Sequence, residues 1–135
     1  MSVDQVIQPG ANKSPTQMRQ EPRVSVTWRA RVLVSAQDFL EGRTHNLSEK
    51  GVGLIMPRSF AIGAILTTAL AVPQPNDRSL IKPVMLQIKV AFSVASDDLF
   101  KIGAQIVKID PNDQKLIDEW VNRLGTRMRK SPVSI

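Results

Sequence analysis

Arg19 and Arg23 stand four residues apart, with Gln20, Glu21 and Pro22 between them. Each guanidinium presents a planar fork of donors that matches phosphate oxygens or the O6/N7 edge of guanine. Pro22 stiffens the stretch and biases Glu21 away from helix, so an extended segment can reach around a compact anion from two sides. Further on comes Asn46-Leu47-Ser48-Glu49-Lys50-Gly51. Asn46 and Ser48 are two apart, so on a strand they share a face and offer a carboxamide and a hydroxyl. Gly51 suits a tight turn, where it can take a positive φ and let a ligand approach the backbone. Each cluster also has a plain structural reading: two solvated arginines, and a strand followed by an Asx- or Ser-type turn.

Catalytic chemistry finds little material. The chain has no Cys and a single His, which excludes a thiolate metal site, a Cys nucleophile and multi-His metal sites. Acid–base work by histidine would rest on His45 alone, and Ser48 has no evident base. Asp97-Asp98 falls in a turn signal and Asp118-Glu119 on a helix face, both read as solvated. No phosphate-loop or dinucleotide-fold glycine motif occurs. The expectation is a binding protein, with no enzyme activity, no metal and no cofactor.

The 135 residues are enough for one domain with a real core. Lys and Arg total 18 against 12 Asp and Glu, a formal charge of +6, which invites anionic partners. Aromatics make up only 4% and Tyr is absent, so platforms for stacking single-stranded nucleic acid are few and nucleic acid is not the expected partner. No apolar run is long enough for a membrane span, and the N-terminus lacks a basic start followed by an apolar stretch. With no Cys, the expected location is the cytoplasm.

The elements that must hold the two clusters follow from periodicity. Residues 1–17 show no period and read as a flexible tail. From Val24, period two places Val26, Trp28, Ala30, Val32 and Val34 on one face, a long strand with Trp28 in the core. Gly42 reads as a turn and 43–47 as a short strand. Val52 to Met56 is a third strand. Residues 60–72 favour strand while leaving helix open, and 73–77 is a loop. Two more strands, 84–94 and 101–109, flank the Ser96-Asp97-Asp98 turn. Leu116, Ile117, Trp120, Val121 and Leu124 recur at helical spacing, with Asp110 as cap, Pro111 at the first position and Gly125 as stop. Residues 126–135 form a basic tail, and 123–130 carries +4 of the net +6. The sum is all-β with one helix: about six strands in a small antiparallel barrel, closed by an amphipathic C-terminal helix.

Arg-x-x-x-Arg at 19–23, then 22 residues, then Asn-x-Ser-x-x-Gly at 46–51 resembles the two motifs of the PilZ domain family, in order and at about that separation. Lys101 to Val107 looks like the family's late strand with its Gly103, where an aromatic often stands in place of Ile106. The resemblance covers about residues 18–124, and 18–125 is read as the domain. It implies a six-stranded antiparallel barrel that binds cyclic diguanylate (c-di-GMP) through Arg19, Arg23, Asn46, Ser48 and Gly51, with Gln20 and Gly103 at the periphery. It further implies a bacterial receptor that passes the signal to an unidentified effector protein in motility, exopolysaccharide or chemotaxis control. The sequence departs from the family at Met18, where a further Arg is common, and at Asn46, where Asp is more frequent. Two alternatives stand beside it: an interaction module of the same fold that does not bind c-di-GMP, and a small basic nucleic-acid-binding barrel.

Overall fold

The computed structural model describes residues 23–133, with side chains described to Gly125. Six strands form one antiparallel ring: β1 (Arg29–Leu33), β2 (Phe39–Leu47), β3 (Gly51–Met56), β4 (Ile65–Gln74), β5 (Asp77–Ser96) and β6 (Leu99–Ile109). Around the barrel the order is β1-β2-β3-β6-β5-β4, and β1 closes on β4 through Ala30 opposite Leu70. Helix α1 (Pro111–Val133) follows.

The alternation expected from Val24 onward holds as far as Val32: Val24, Val26, Trp28, Ala30 and Val32 are all buried. Val34 departs from it and is 38% exposed, because the strand ends at Leu33 and the Val34 N–H donates to the Asp38 carbonyl in a turn. Gly42 is not in a turn either. It lies within β2 opposite Ala30, and a Cβ there would run into the Ile55 carbonyl and the Met56 sulfur. The glycine is required by close packing across the barrel. The 60–72 stretch resolves as strand from Ile65, after a turn in which Gly63 takes φ 88°.

Trp120 on α1 meets Trp28 edge to face, ring centroids 5.8 Å apart. Ile117 and Val121 are buried beside it, so the helix seals the core. Four polar contacts fix its position, one of them the Arg123 guanidinium donating to the Asn76 carboxamide oxygen at 3.2 Å. The Trp120 indole N–H donates to the Pro73 carbonyl at 2.8 Å, Lys82 Nζ reaches the Asp113 carboxylate at 2.6 Å, and the Gln114 side-chain amide donates to the Glu49 carbonyl at 2.9 Å. Asp110 caps the helix as expected, its carboxylate accepting from the Asn112 N–H. The expected stop at Gly125 fails: the helix continues to Val133. A glycine inside a helix costs only about 1 kcal/mol relative to alanine. Thr126 to Lys130 is compatible with helix, and Pro132 is the next residue that cannot continue the backbone ladder.

Candidate functional site

Val24 forms an isolated bridge with Leu47, exchanging N–H···O bonds of 2.8 and 2.9 Å. This backbone clasp brings the residue before it, Arg23, to the end of β2. The Arg23 guanidinium donates to the Asn46 carboxamide oxygen at 3.3 Å. The two clusters that are 22 residues apart in the chain thus touch through one residue of each. Arg19 and Gln20 lie outside the described residues.

Asn46 faces outward because of a β-bulge. Thr44 pairs with Leu54 and Asn46 with Gly53, leaving His45 as the extra residue. Simple alternation would put Asn46 on the same side as Thr44, whose hydroxyl is buried and bonds the Val26 carbonyl. The bulge instead places Asn46 outside and Leu47 in the core.

The expectation that Ser48 shares an exposed strand face with Asn46 is not met. Strand β2 ends at Leu47, and Ser48 is 0% exposed. Its N–H donates to the Gly51 carbonyl at 2.9 Å, and its hydroxyl is 3.4 Å from the same oxygen. The chain is already turning at this point, so strand alternation no longer sets the direction of Ser48. Gly51 opens β3 with a negative φ, so its expected positive-φ role is also corrected; among the described glycines only Gly63 has a positive φ. What Gly51 supplies is space. A Cβ would sit 3.1 Å from the Ala104 carbonyl and 3.4 Å from the Ser48 hydroxyl oxygen.

Beyond Asn46 a row runs across the sheet: Asn46 opposite Gly53, Gly53 opposite Gly103, Gly103 opposite Phe92. The Asn46 carboxamide lies over Gly53, where a Cβ would come within 2.6 Å of its oxygen. The Phe92 ring lies over Gly103, where a Cβ would collide with it. Two glycines side by side let the Asn46 carboxamide and the Phe92 ring lie close against the sheet, and both glycines are buried beneath them. A bulge between Val90 and Phe92 turns the ring onto this face. Beside the row lies a depression of about 280 Å³ bordered by Arg23, Lys50, Gly51, Phe92, Gly103 and Gln105. Two cations, two carboxamides and one exposed ring suit a planar ligand that carries phosphate and a hydrogen-bonding edge.

Sequence reasoning found Gly103 but missed Gly53, Phe92, Lys50 and Gln105. Phe92 sits in a β-prone run where any aromatic reads as core, and only its pairing with a glycine marks it. Along the same face, Arg43, His45, Ile55 and Lys101 line a second depression of about 520 Å³ beside the Asp97-Asp98 turn. Asp97 has φ 56°, as that tight turn demands. Among the described residues no group of three or more His, Asp or Glu is placed to hold a metal ion.

A family model for the PilZ domain matches residues 17–123. The chain belongs to the PilZ domain family. Solved PilZ proteins share its fold. The inhibitor of motility MotI/DgrA of Bacillus subtilis superposes with a TM-score of 0.70 at 16% identity, over 82% of this chain and 53% of that one. The PilZ domain of Escherichia coli YcgR, solved with c-di-GMP, gives 0.60 at 11% identity, over 87% and 98%. The K. pneumoniae MrkH–c-di-GMP complex gives 0.65 at 14% identity, over 84% and 54%. The chain therefore spans about half the length of MotI and of MrkH, but nearly all of the isolated YcgR domain. No curated protein matches the chain. Among the described residues no helix is long and apolar enough to cross a membrane.

Proposed function

We propose that this PilZ chain is a c-di-GMP receptor, acting in the cytoplasm without catalysis and relaying the messenger to a partner protein. The observation that carries the reading is the Arg23–Asn46 hydrogen bond at the edge of the Gly53–Gly103–Phe92 row. It supports the reading because each motif by itself is commonplace, while their meeting beside a glycine pair and an exposed ring is not required by the barrel. Two related PilZ proteins have been solved with c-di-GMP, which adds to it.

In this reading Arg23 exchanges the neutral Asn46 oxygen for a phosphate, a stronger acceptor. Freed of Arg23, the Asn46 carboxamide turns to a guanine edge, and Phe92 offers its face to a base. Arg19 supplies a second guanidinium from the same segment, with Gln20 alongside. Ser48 and Gly51 act by holding the turn, since the Ser48 hydroxyl is covered. The relay serves motility, exopolysaccharide synthesis or chemotaxis.

Calorimetry with c-di-GMP tests the receptor reading. Binding is expected, with Arg23→Ala weakening it by about 1.5–3 kcal/mol, or 10- to 200-fold, as loss of a charged donor should. Affinity should fall only shallowly with salt, since the ligand has two phosphates, whereas a nucleic-acid binder loses affinity steeply. No heat of binding, or an affinity unchanged from the parent in both Arg23→Ala and Arg19→Ala, would remove the reading.

A further inference from the structure

The face of the barrel opposite the candidate site is built differently. There β1, β4 and β5 turn outward Arg29, Arg31, Ala69, Ala71, Pro83 and Met85: Arg31 opposite Ala69, Ala69 opposite Met85, Ala71 opposite Pro83. The two alanines form the floor of a depression of about 260 Å³, with the arginines as one wall and Pro83 on the other. Large apolar residues stand in the open on the outer face of the same two strands, β4 and β5: Ile65 is 53% exposed, Ile81 53% and Met85 51%. Scattered exposed aliphatics are ordinary, but a stripe of them on one sheet face marks an interaction site.

Charge indicates what the surface takes. Of the carboxylates bordering this face, Glu41 is paired with Arg31 at 3.0 Å and Asp110 caps α1. Among the described residues Arg29, Lys89 and Lys108 have no ion pair, so the rim holds uncompensated positive charge.

We propose that the β1–β4–β5 face docks a segment of a partner protein that presents a large apolar side chain flanked by carboxylates. The apolar side chain enters over Ala69 and Ala71 against Met85, and a carboxylate reaches Arg29. A recessed floor between an arginine wall and Pro83 favours an inserted side chain over a bilayer, which engages protruding apolar groups. A second copy of this chain is disfavoured because each carries +6. Nucleic acid would use the arginines but leave the alanine floor and Met85 without a role. This surface deepens the relay reading and rests on it for the partner's role as effector.

The test is a methyl-NMR titration of the full chain with a synthetic peptide alternating leucine and glutamate. Parallel arms use a leucine–lysine peptide and phosphatidylglycerol vesicles, with c-di-GMP calorimetry run separately. The leucine–glutamate peptide is expected to shift the methyl signals of Ala69, Ala71 and Met85, and Arg29→Glu should weaken it at least about tenfold, as loss of a charged anchor does. Met85→Gln, also on the exposed face, serves as a second variant and should weaken it too. Neither change should alter c-di-GMP affinity. The proposal is overturned if these methyls stay unmoved, if the leucine–lysine peptide or the vesicles act equally well, or if both variants bind the peptide as the parent does. Loss of c-di-GMP binding with peptide binding intact would instead sink the receptor reading alone.

Discussion

Where α1 meets the barrel, Trp28 and Trp120 fill the space; where Arg23 meets Asn46, Gly53 and Gly103 empty it. The first region is made of large side chains in mutual contact, and its polar groups are anchored, the Trp120 indole on Pro73 and Lys82 on Asp113. The second is built on two glycines covered only by the Asn46 carboxamide and the Phe92 ring, with Arg23, Lys50 and Gln105 exposed beside them. One region holds the fold together and the other leaves a ligand-sized surface. Substitutions should therefore separate stability from binding, and the contrast can be broken from either side.

The largest effect belongs to the packed region. Trp120→Ala removes the edge-to-face contact with Trp28 and opens a cavity under α1. It should cost about 3–5 kcal/mol of unfolding free energy, read from denaturant melts. The fraction that stays folded should bind c-di-GMP with unchanged affinity, because no atom of Trp120 borders the Asn46–Phe92 row. A loss below about 1 kcal/mol would mean the helix is an appendage rather than part of the core.

Gly103→Ala probes the emptied region. A Cβ at 103 displaces the Phe92 ring, which is exposed on one side and free to swing outward. Stability should fall by about 1 kcal/mol, the low end of overpacking strain, since the neighbour that must move is a surface ring. The affinity for c-di-GMP should fall about tenfold or more, because the ring no longer lies flat beside Asn46 to offer its face to a base. If the melt collapses while affinity holds, the glycine pair serves packing and the contrast between the two regions is lost.

The packed region was largely legible in the sequence, and the emptied one only in part. Val24 to Val32 and Leu116 to Leu124 carry pure period-two and helical patterns, because burial on one side imposes a period. Errors fell where a local feature breaks the period. The bulge at His45 turns Asn46 outward, and the strand ends at Leu47, so Ser48 lies in a turn and does not share its face. Gly42 looks like punctuation in a sequence, yet it is a strand residue pressed against Ile55 and Met56. Phe92 was invisible because what matters about it is its cross-strand neighbour, and pairing register is a property of the closed barrel rather than of any local run. The meeting of Arg23 with Asn46 was expected from the family motifs, while the clasp that produces it, Val24 on Leu47, carries no sequence signature.

Ser48 stands between the two regions and gives a smaller effect. Its hydroxyl is covered and bonds the Gly51 carbonyl, so Ser48→Ala should lower stability by about 0.5–1.5 kcal/mol, more than an exposed hydroxyl would. Binding should weaken less than in Arg23→Ala, because the residue acts through the shape of the turn. Thermal melts and calorimetry on one preparation compare the two effects. An unchanged melt with strongly reduced affinity would restore a direct ligand contact.

The smallest effect is a pH dependence in the packed region. The Lys82 ammonium is held above its ordinary range, first by its hydrogen bond to the Asp113 carboxylate and then by that carboxylate's charge. A cation whose pKa is raised on folding binds its proton more tightly in the folded chain than in the unfolded one. The stabilisation is therefore fully present below about 10.5, the unfolded value, and is lost as pH rises through the folded value. The Lys82 side chain is nearly half exposed, so solvent screens the pair and the loss should be slight. Lys82→Met removes the proton-binding group while keeping an apolar stem over α1. Denaturation midpoints of the parent and this variant should differ near neutral pH and converge above pH 10.5, with no matching change near the Arg23–Asn46 contact. A gap between the two that stays constant with pH would show that Lys82 contributes through its stem alone, and that α1 is held by packing without help from charge.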